Sequence, residues 1–143
     1  MLIKQMTKKE TERVSTLASM LYHSDINEII DDFNKLLNSD NIVLYIEQNN
    51  EIIGFAHFSK RNDYVEGTSS NPVLYLEGIY INEVYRNKGY AKKIVQEGIK
   101  WGKANGCKEF ASDCEEENTQ SIEFHKKIGF EEVNRVVCFT KKI

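Results

Sequence analysis

The chain is poor in the residues that break or staple a fold. Pro72 is its only proline, and no stretch rich in proline, glycine or serine marks a linker. With 143 residues and 41% hydrophobic content, one domain spanning residues 1–143 is expected. Its cysteines, Cys107, Cys114 and Cys138, are an odd set without a C-x-x-C pair. That argues against a disulfide framework and for free thiols in a reducing compartment. The three histidines, His23, His57 and His125, show no ligand spacing, so no metal is expected. No run of about 20 apolar residues could span a bilayer. The N-terminal segment MLIKQMTKKE lacks the apolar core of a signal peptide. A cytoplasmic protein without a membrane partner is expected. The net charge of −3 offers no positive surface for nucleic acid. Mild acidity suits a cationic substrate and equally an ordinary acidic protein.

What is present is periodicity. LIKQM reads as a strand. Thr7 and Glu10 form a T-x-x-E capping box ahead of Val14, Leu17, Ala18 and Leu21 at helical spacing. Asp25 and Glu28 repeat the pattern before the stripe Ile26, Ile29, Ile30, Phe33 and Leu37. NIVLYIEQ and EIIGFAHFS flank an Asn-Asn turn and read as a hairpin. KRNDYVEGTSSNP reads as a loop. VLYLEGIYI is mostly apolar on both faces, as a central strand should be. A long helix follows, with Ala91, Ile94, Val95, Ile99, Trp101 and Gly102 on its buried side and Asn105-Gly106 at its end. CKEFASD reads as a short strand, Asn118 to Ile128 as a helix, and VNRVVCFTKK as a last strand. The order β-α-α-β-β-β-α-β-α-β is an α/β pattern with a β-α-β unit near its centre.

That unit contains R-N-K-G-Y-A, residues Arg86 to Ala91. Gly89 permits backbone angles that other residues resist. The N–H groups at the following helix start, the helix dipole and the charges of Arg86, Lys88 and Lys92 suit a pyrophosphate. The turn is neither a P-loop nor a Rossmann fingerprint. Taken alone it fits a solvated basic turn equally well.

Strand, R-x-x-G-x-A, amphipathic helix and strand, followed by N-x(6)-H-K-K-I-G-F, resemble the GCN5-related N-acetyltransferases. The resemblance implies a mixed central sheet with splayed parallel strands and flanking helices. It implies acetyl-CoA as co-substrate. Ile79, Tyr80 and Ile81 would pair with its pantetheine arm and acetyl group. Asn87, Lys88, Gly89, Tyr90, Ala91 and Lys92 would hold its pyrophosphate, and Asn118 would contact the arm from across the gap.

Four further segments, RNDYVEGTSSNPVLYLEGIY, WGKANGCKEFASD, FHKKIGFEE and RVVCFTKKI, resemble the aminoglycoside 6'-N-acetyltransferases. A homodimer and resistance to these cationic drugs are what that resemblance implies. The residues support a cationic acceptor independently. Glu77 interrupts an apolar strand, where a carboxylate is costly unless it is paired or faces a cleft. A salt bridge to a neighbouring Lys or Arg and an ammonium site are both open readings. Asp113 ends the next strand, where such sheets open to ligand, or it simply begins a helix or turn. By the resemblance, Glu77 and Asp113 bind the drug, and Tyr22 and Tyr64 line its site. Tyr22 stands where the resembling enzymes carry Trp. Asn134 stands where they carry Glu.

The expected chemistry is direct attack of a neutral primary amine on the thioester carbon in a ternary complex. Glu77 or Asp113 is the candidate proton acceptor, directly or through water. A strand N–H near Ile79 would stabilise the developing oxyanion. His125 stands where many relatives place a Tyr, as a proton donor to the leaving thiolate or as a core or capping residue. The alternative functions are acetylation of another amine (a polyamine, a protein N-terminus or a lysine) and acyl-CoA binding without turnover.

Overall fold

The computed structural model describes residues 1–143. Five strands form one sheet in the order β1-β2-β3-β4-β5: β1 Leu2–Gln5, β2 Asn41–Gln48, β3 Glu51–Arg61, β4 Val73–Ile81 and β5 Phe110–Ser112. All neighbours are antiparallel except β4 and β5, which are parallel because helix α3 (Tyr90–Ala104) carries the chain back between them. Helices α1 (Thr11–Tyr22) and α2 (Ile26–Leu36) precede β2, and α4 (Thr119–Lys127) follows β5. A 3-10 turn, Glu83–Tyr85, links β4 to the basic turn.

Strand alternation divides the core in two. Met6, Val14, Leu17, Ala18, Ile29 and Phe33 bury α1 and α2 against Val43, Tyr45 and Phe55 of the sheet. Ile94 of α3 packs on the opposite side with Ile42, Leu44, Ala56, Phe58, Leu74 and Leu76. The spacing of α3 is set by glycine as much as by its apolar residues. A Cβ on Gly98 would lie 2.2 Å from the Phe58 ring, so the ring packs directly on helix backbone.

The hairpin turn is confirmed: Asn49 and Asn50 both take positive φ, 52° and 64°, as a two-residue turn of this hand requires. The capping box forms one step early. Glu10 accepts from the Thr7 N–H at 3.2 Å, but the helix starts at Thr11, so the box closes the preceding turn. Asp25 stands at the N-cap of α2 without a side-chain cap bond. β3 continues through Lys60 and Arg61, which the polar run KRNDY had suggested were loop.

The strand expected around VNRVVCFTKK does not form. Residues 131–143 are exposed and have no regular structure. Side-chain propensity there favours a strand, but a strand exists only when a neighbouring edge takes its N–H and C=O groups. No edge of this chain reaches it.

Candidate active site

The site begins where β4 and β5 part. They pair only at Leu74–Phe110, Tyr75–Ala111 and Leu76–Ser112. β4 runs on to Ile81, still paired with β3 on its other side, so Glu77 to Ile81 offer an open backbone edge. The expected splay of two parallel strands is therefore present, with Ile79, Tyr80 and Ile81 along one side.

A β-bulge lies at the head of this gap. His57 pairs with Gly78 and Phe58 with Leu76, which leaves Glu77 as the extra residue on β4. The bulge shifts the apolar phase of the strand, so Leu74 and Leu76 before it and Ile79 and Ile81 after it all face the α3 side. Glu77 is re-aimed by the same step, and only half-buried.

The gap leads toward the basic turn. Gly89 has φ 84° and Asn87 φ 62°, two left-handed residues that fold the chain tightly before α3. The first amide of this region to find a carbonyl is that of Lys93, which donates to Gly89. The N–H groups of Asn87, Lys88, Gly89, Tyr90, Ala91 and Lys92 donate to nothing within the chain. A Cβ on Gly89 would meet open space. Six free donors at the positive end of a fifteen-residue helix fit a pyrophosphate. Arg86 does not add its charge freely, because its Nε donates to the Ile81 carbonyl at 2.8 Å.

Glu77 is already paired. Arg61 grips it with Nε at 2.9 Å and a terminal nitrogen at 2.7 Å, and the Ser59 hydroxyl donates to it as well. Burial pushes the Glu77 carboxyl up, but the Arg61 and Ser59 hydrogen bonds and the Arg61 charge outweigh it and hold the group below the ordinary carboxylate value. The same guanidinium lies 3.5 Å from the centre of the Tyr75 ring, and the Tyr75 hydroxyl donates to Asp113. Glu77, Arg61, Tyr75 and Asp113 thus form one connected chain, which brings both predicted carboxylates to the mouth of the gap. Arg61, Ser59 and Tyr75 were not singled out from the sequence. For Arg61 and Ser59 the available signal was hairpin register, because a long β3 beside β4 sets Ser59 across from Tyr75 and Arg61 across from Val73, on the stretch of β4 that leads to Glu77.

The other predicted residues divide. Tyr22 joins the site: its hydroxyl sits against the Gly78 backbone, where a Cβ would lie only 2.1 Å away. Burial, and then the Glu77 charge, push its phenol up to about 12. Beside it lies a pocket of about 370 Å³ whose wall includes Glu28, Asp32, Phe33 and His57. Burial pushes His57 down, so it is neutral at pH 7. Tyr64 and Asn134 do not touch this network. Tyr64 is exposed and donates to Glu66, and the Asn134 amide donates to the same Glu66 at 3.3 Å. Asn118 caps α4, its Oδ1 accepting from the Ser121 N–H at 3.1 Å. His125 is held at both nitrogens, Nδ1 by the Ser121 carbonyl at 2.7 Å and Nε2 by the Ser112 hydroxyl at 2.8 Å. That arrangement docks α4 onto β5 and fits the structural reading of His125.

Residues 7–130 match the family model described as Acetyltransferase (GNAT) family. This chain belongs to that family. An aminoglycoside N(6')-acetyltransferase type 1 from Salmonella enteritidis is 38% identical over 143 residues, covering 98% of each chain. Its Salmonella typhimurium counterpart is 37% identical over the same span. Kinship therefore extends to the aminoglycoside 6'-N-acetyltransferases within the larger family. Among solved structures, AAC(6')-Iy in complex with the bisubstrate analogue CoA-S-monomethyl-acetylneamine superposes with a TM-score of 0.93 at 36% identity, over 99% of this chain and 98% of that one. Apo AAC(6')-IG from Acinetobacter haemolyticus gives 0.95 at 31% identity, over 100% and 99%.

Proposed function

We infer that this acetyltransferase moves an acetyl group from acetyl-CoA to the 6'-amine of aminoglycosides. The observation that carries the reading is the continuous path from the Glu77–Asp113 network, along the open β4 edge, to the six free amides before α3. Full-length likeness to the aminoglycoside enzymes supports the acceptor, because the turn alone speaks only for the donor.

Each part of the path supplies one function. The open edge at Ile79, Tyr80 and Ile81 offers backbone groups to the amides of an extended pantetheine arm. Asn87 to Lys92 take the pyrophosphate, and Asn118 borders the arm from the α4 side. Glu77 and Asp113 receive ammonium groups of the drug, with Tyr22 beside them. Glu28 and Asp32 line the adjoining pocket, which suits a polycation with several amines. Tyr64 and Asn134 lie at Glu66, where they serve outer parts of the drug.

In the reaction the amine nitrogen bonds to the thioester carbon and the carbon–sulfur bond breaks. The ammonium proton must leave first, to Glu77 or Asp113 or to water ordered by them. Because Glu77 is held below the ordinary carboxylate value, it is a weak base and acts mainly by orienting the amine and its water. A β4 amide near Ile79 faces the thioester oxygen as negative charge develops. The thiolate takes its proton from solvent.

One acetyltransferase domain, residues 1–143, acting as a cytoplasmic homodimer completes the proposal. No helix is long and apolar enough to cross a membrane. The test is incubation with acetyl-CoA and kanamycin, spermidine or a lysine peptide, following thiol release and product mass. Kanamycin acetylated at the 6'-amine is expected. Thiol release only with spermidine or the peptide overturns the acceptor, and cofactor binding without turnover overturns the enzyme.

A further inference from the structure

Glu77 is a weak base, and a stronger one stands beside it. His57 lies on β3 and pairs with Gly78, the residue after Glu77. Strand alternation puts it on the same face as Phe55, under α1 and α2, where it forms part of the wall of the pocket of about 370 Å³. Phe33 of α2 meets its ring edge-on, with centroids 6.4 Å apart. Gly78 puts no side chain between the imidazole and the open edge of β4, and the Tyr22 hydroxyl rests there instead.

A chain of hydrogen bonds decides which nitrogen of His57 carries the proton. The Ser39 hydroxyl donates to the Leu36 carbonyl at 2.8 Å, so its oxygen is left to accept. It accepts from the Asn41 amide nitrogen at 2.9 Å. The Asn41 amide is thereby oriented with Oδ1 toward His57, 2.8 Å from Nε2. An amide oxygen only accepts, so Nε2 bears the hydrogen. Nδ1 then holds the lone pair and has no hydrogen-bond partner in the chain. An imidazole anchored through one nitrogen with the other bare is the arrangement of a general base.

We propose that Nδ1 of His57 takes the proton that the reacting ammonium must lose. The ammonium N–H bond breaks, the proton bonds to Nδ1, and the freed electron pair attacks the thioester carbon. The imidazolium gives its proton back to solvent before the next turnover. The groups around the ring oppose one another. The Glu77 charge on β4 favours the charged ring, and the Arg61 charge on β3 disfavours it. Glu28 and Asp32 of α2 and Tyr22 of α1 line the same pocket. Burial outweighs the Glu77 charge, so the ring meets its substrate neutral and able to accept. Glu77 then orients the amine and steadies the imidazolium, which is work that a weak base can do. This deepens the acetyl transfer to aminoglycosides inferred for the site and rests on it.

The test is the pH profile of kcat/KM for kanamycin. A base must be unprotonated, so the native value should fall as pH drops through the His57 value, which lies below the ordinary histidine value of about 6.5. His57→Gln should lose about a hundredfold at pH 7, and this acid limb with it, while the KM for acetyl-CoA stays put. Asn41→Asp keeps the tautomer and adds a charge that favours imidazolium, so the limb should move to higher pH. His57→Ala opens space in the pocket and should regain activity with added imidazole. A histidine that only supports the fold predicts neither the moved limb nor the rescue. An acid limb unmoved in Asn41→Asp, or native kcat/KM in His57→Gln, overturns the base and leaves the acetyltransferase standing. A native protein that does not acetylate kanamycin overturns both.

Discussion

Arg61 holds Glu77 by both carboxylate oxygens, at 2.7 and 2.9 Å, while its guanidinium lies 3.5 Å from the centre of the Tyr75 ring. The carboxylate proposed to receive a substrate ammonium therefore already has a cation. Arg61 orients Glu77, and its charge opposes a second cation arriving beside it. Replacing it by Gln should separate the two effects. In Arg61→Gln the KM for kanamycin falls a few-fold as the repulsion goes, and kcat falls as Glu77 loses its clamp. The KM for acetyl-CoA stays put. Steady-state kinetics with each substrate varied in turn checks this; equal KM values for kanamycin in both proteins would sink it.

Glu77 itself predicts an acid limb in stability. Its carboxyl is held below the ordinary carboxylate value in the folded protein, chiefly by the Arg61 and Ser59 hydrogen bonds. A depressed folded value means that its stabilising contribution is present above the unfolded value and is lost as pH falls through the folded one. The native protein should thus outlast Glu77→Gln in urea at pH 7, and the gap should narrow as pH falls below the ordinary carboxylate value. Urea midpoints of the two proteins across pH 3 to 7 test this. The same variant should lose about tenfold in kanamycin turnover, because it keeps the shape of Glu77 but not the charge that orients the amine.

The basic turn yields a prediction specific to the cofactor. Gly89 sits at φ 84° with open space around its missing side chain, so alanine there meets no clash. The cost is backbone strain of about 1–2 kcal/mol, relieved by relaxing the turn. Relaxation misaligns the free amides. Gly89→Ala should raise the acetyl-CoA KM about tenfold and leave the kanamycin KM unchanged. Gly98→Ala is the control in packing. Its Cβ would enter the Phe58 ring, at a cost of about 1–3 kcal/mol. Thermal melting should fall for Gly98→Ala with both KM values intact.

Much of this arrangement is written in the residues. The phase slip in VLYLEGIYI, with Leu74 and Leu76 on even positions and Ile79 and Ile81 on odd ones, encodes the bulge at Glu77. The Asn-Asn turn and the periodicity of α3 are equally local. Arg61 was hidden because strand length in a hairpin depends on its partner: β4 begins at Val73, and Arg61 is in β3 because it pairs with Val73. Tyr64 and Asn134 meet at Glu66 through a loop whose course no periodicity fixes. The arm after Arg135 shows the reverse case. Its strand propensity is plain, but pairing depends on an edge that this chain does not bring to it.

Asp113 is the second carboxylate, and its position depends on Tyr75. The Tyr75 hydroxyl donates to it, while the ring is buried against Val65 and Val73 and carries Arg61 on its face. Burial first, and then the Asp113 bond, push the Tyr75 phenol well above its ordinary value, so it stays a donor throughout the working pH range. Tyr75→Phe keeps the ring, the packing and the Arg61 contact but removes that donor. Asp113 then has no tether to the Glu77 network, and the two carboxylates cease to be held as a pair. The kanamycin KM should rise several-fold while the acetyl-CoA KM and the melting temperature change little. Asp113→Asn in the Tyr75→Phe background should add far less than it does alone, because both changes remove one coupled unit. A double-mutant cycle on kcat/KM for kanamycin measures this. Strict additivity of the two substitutions would show that Tyr75 and Asp113 act separately.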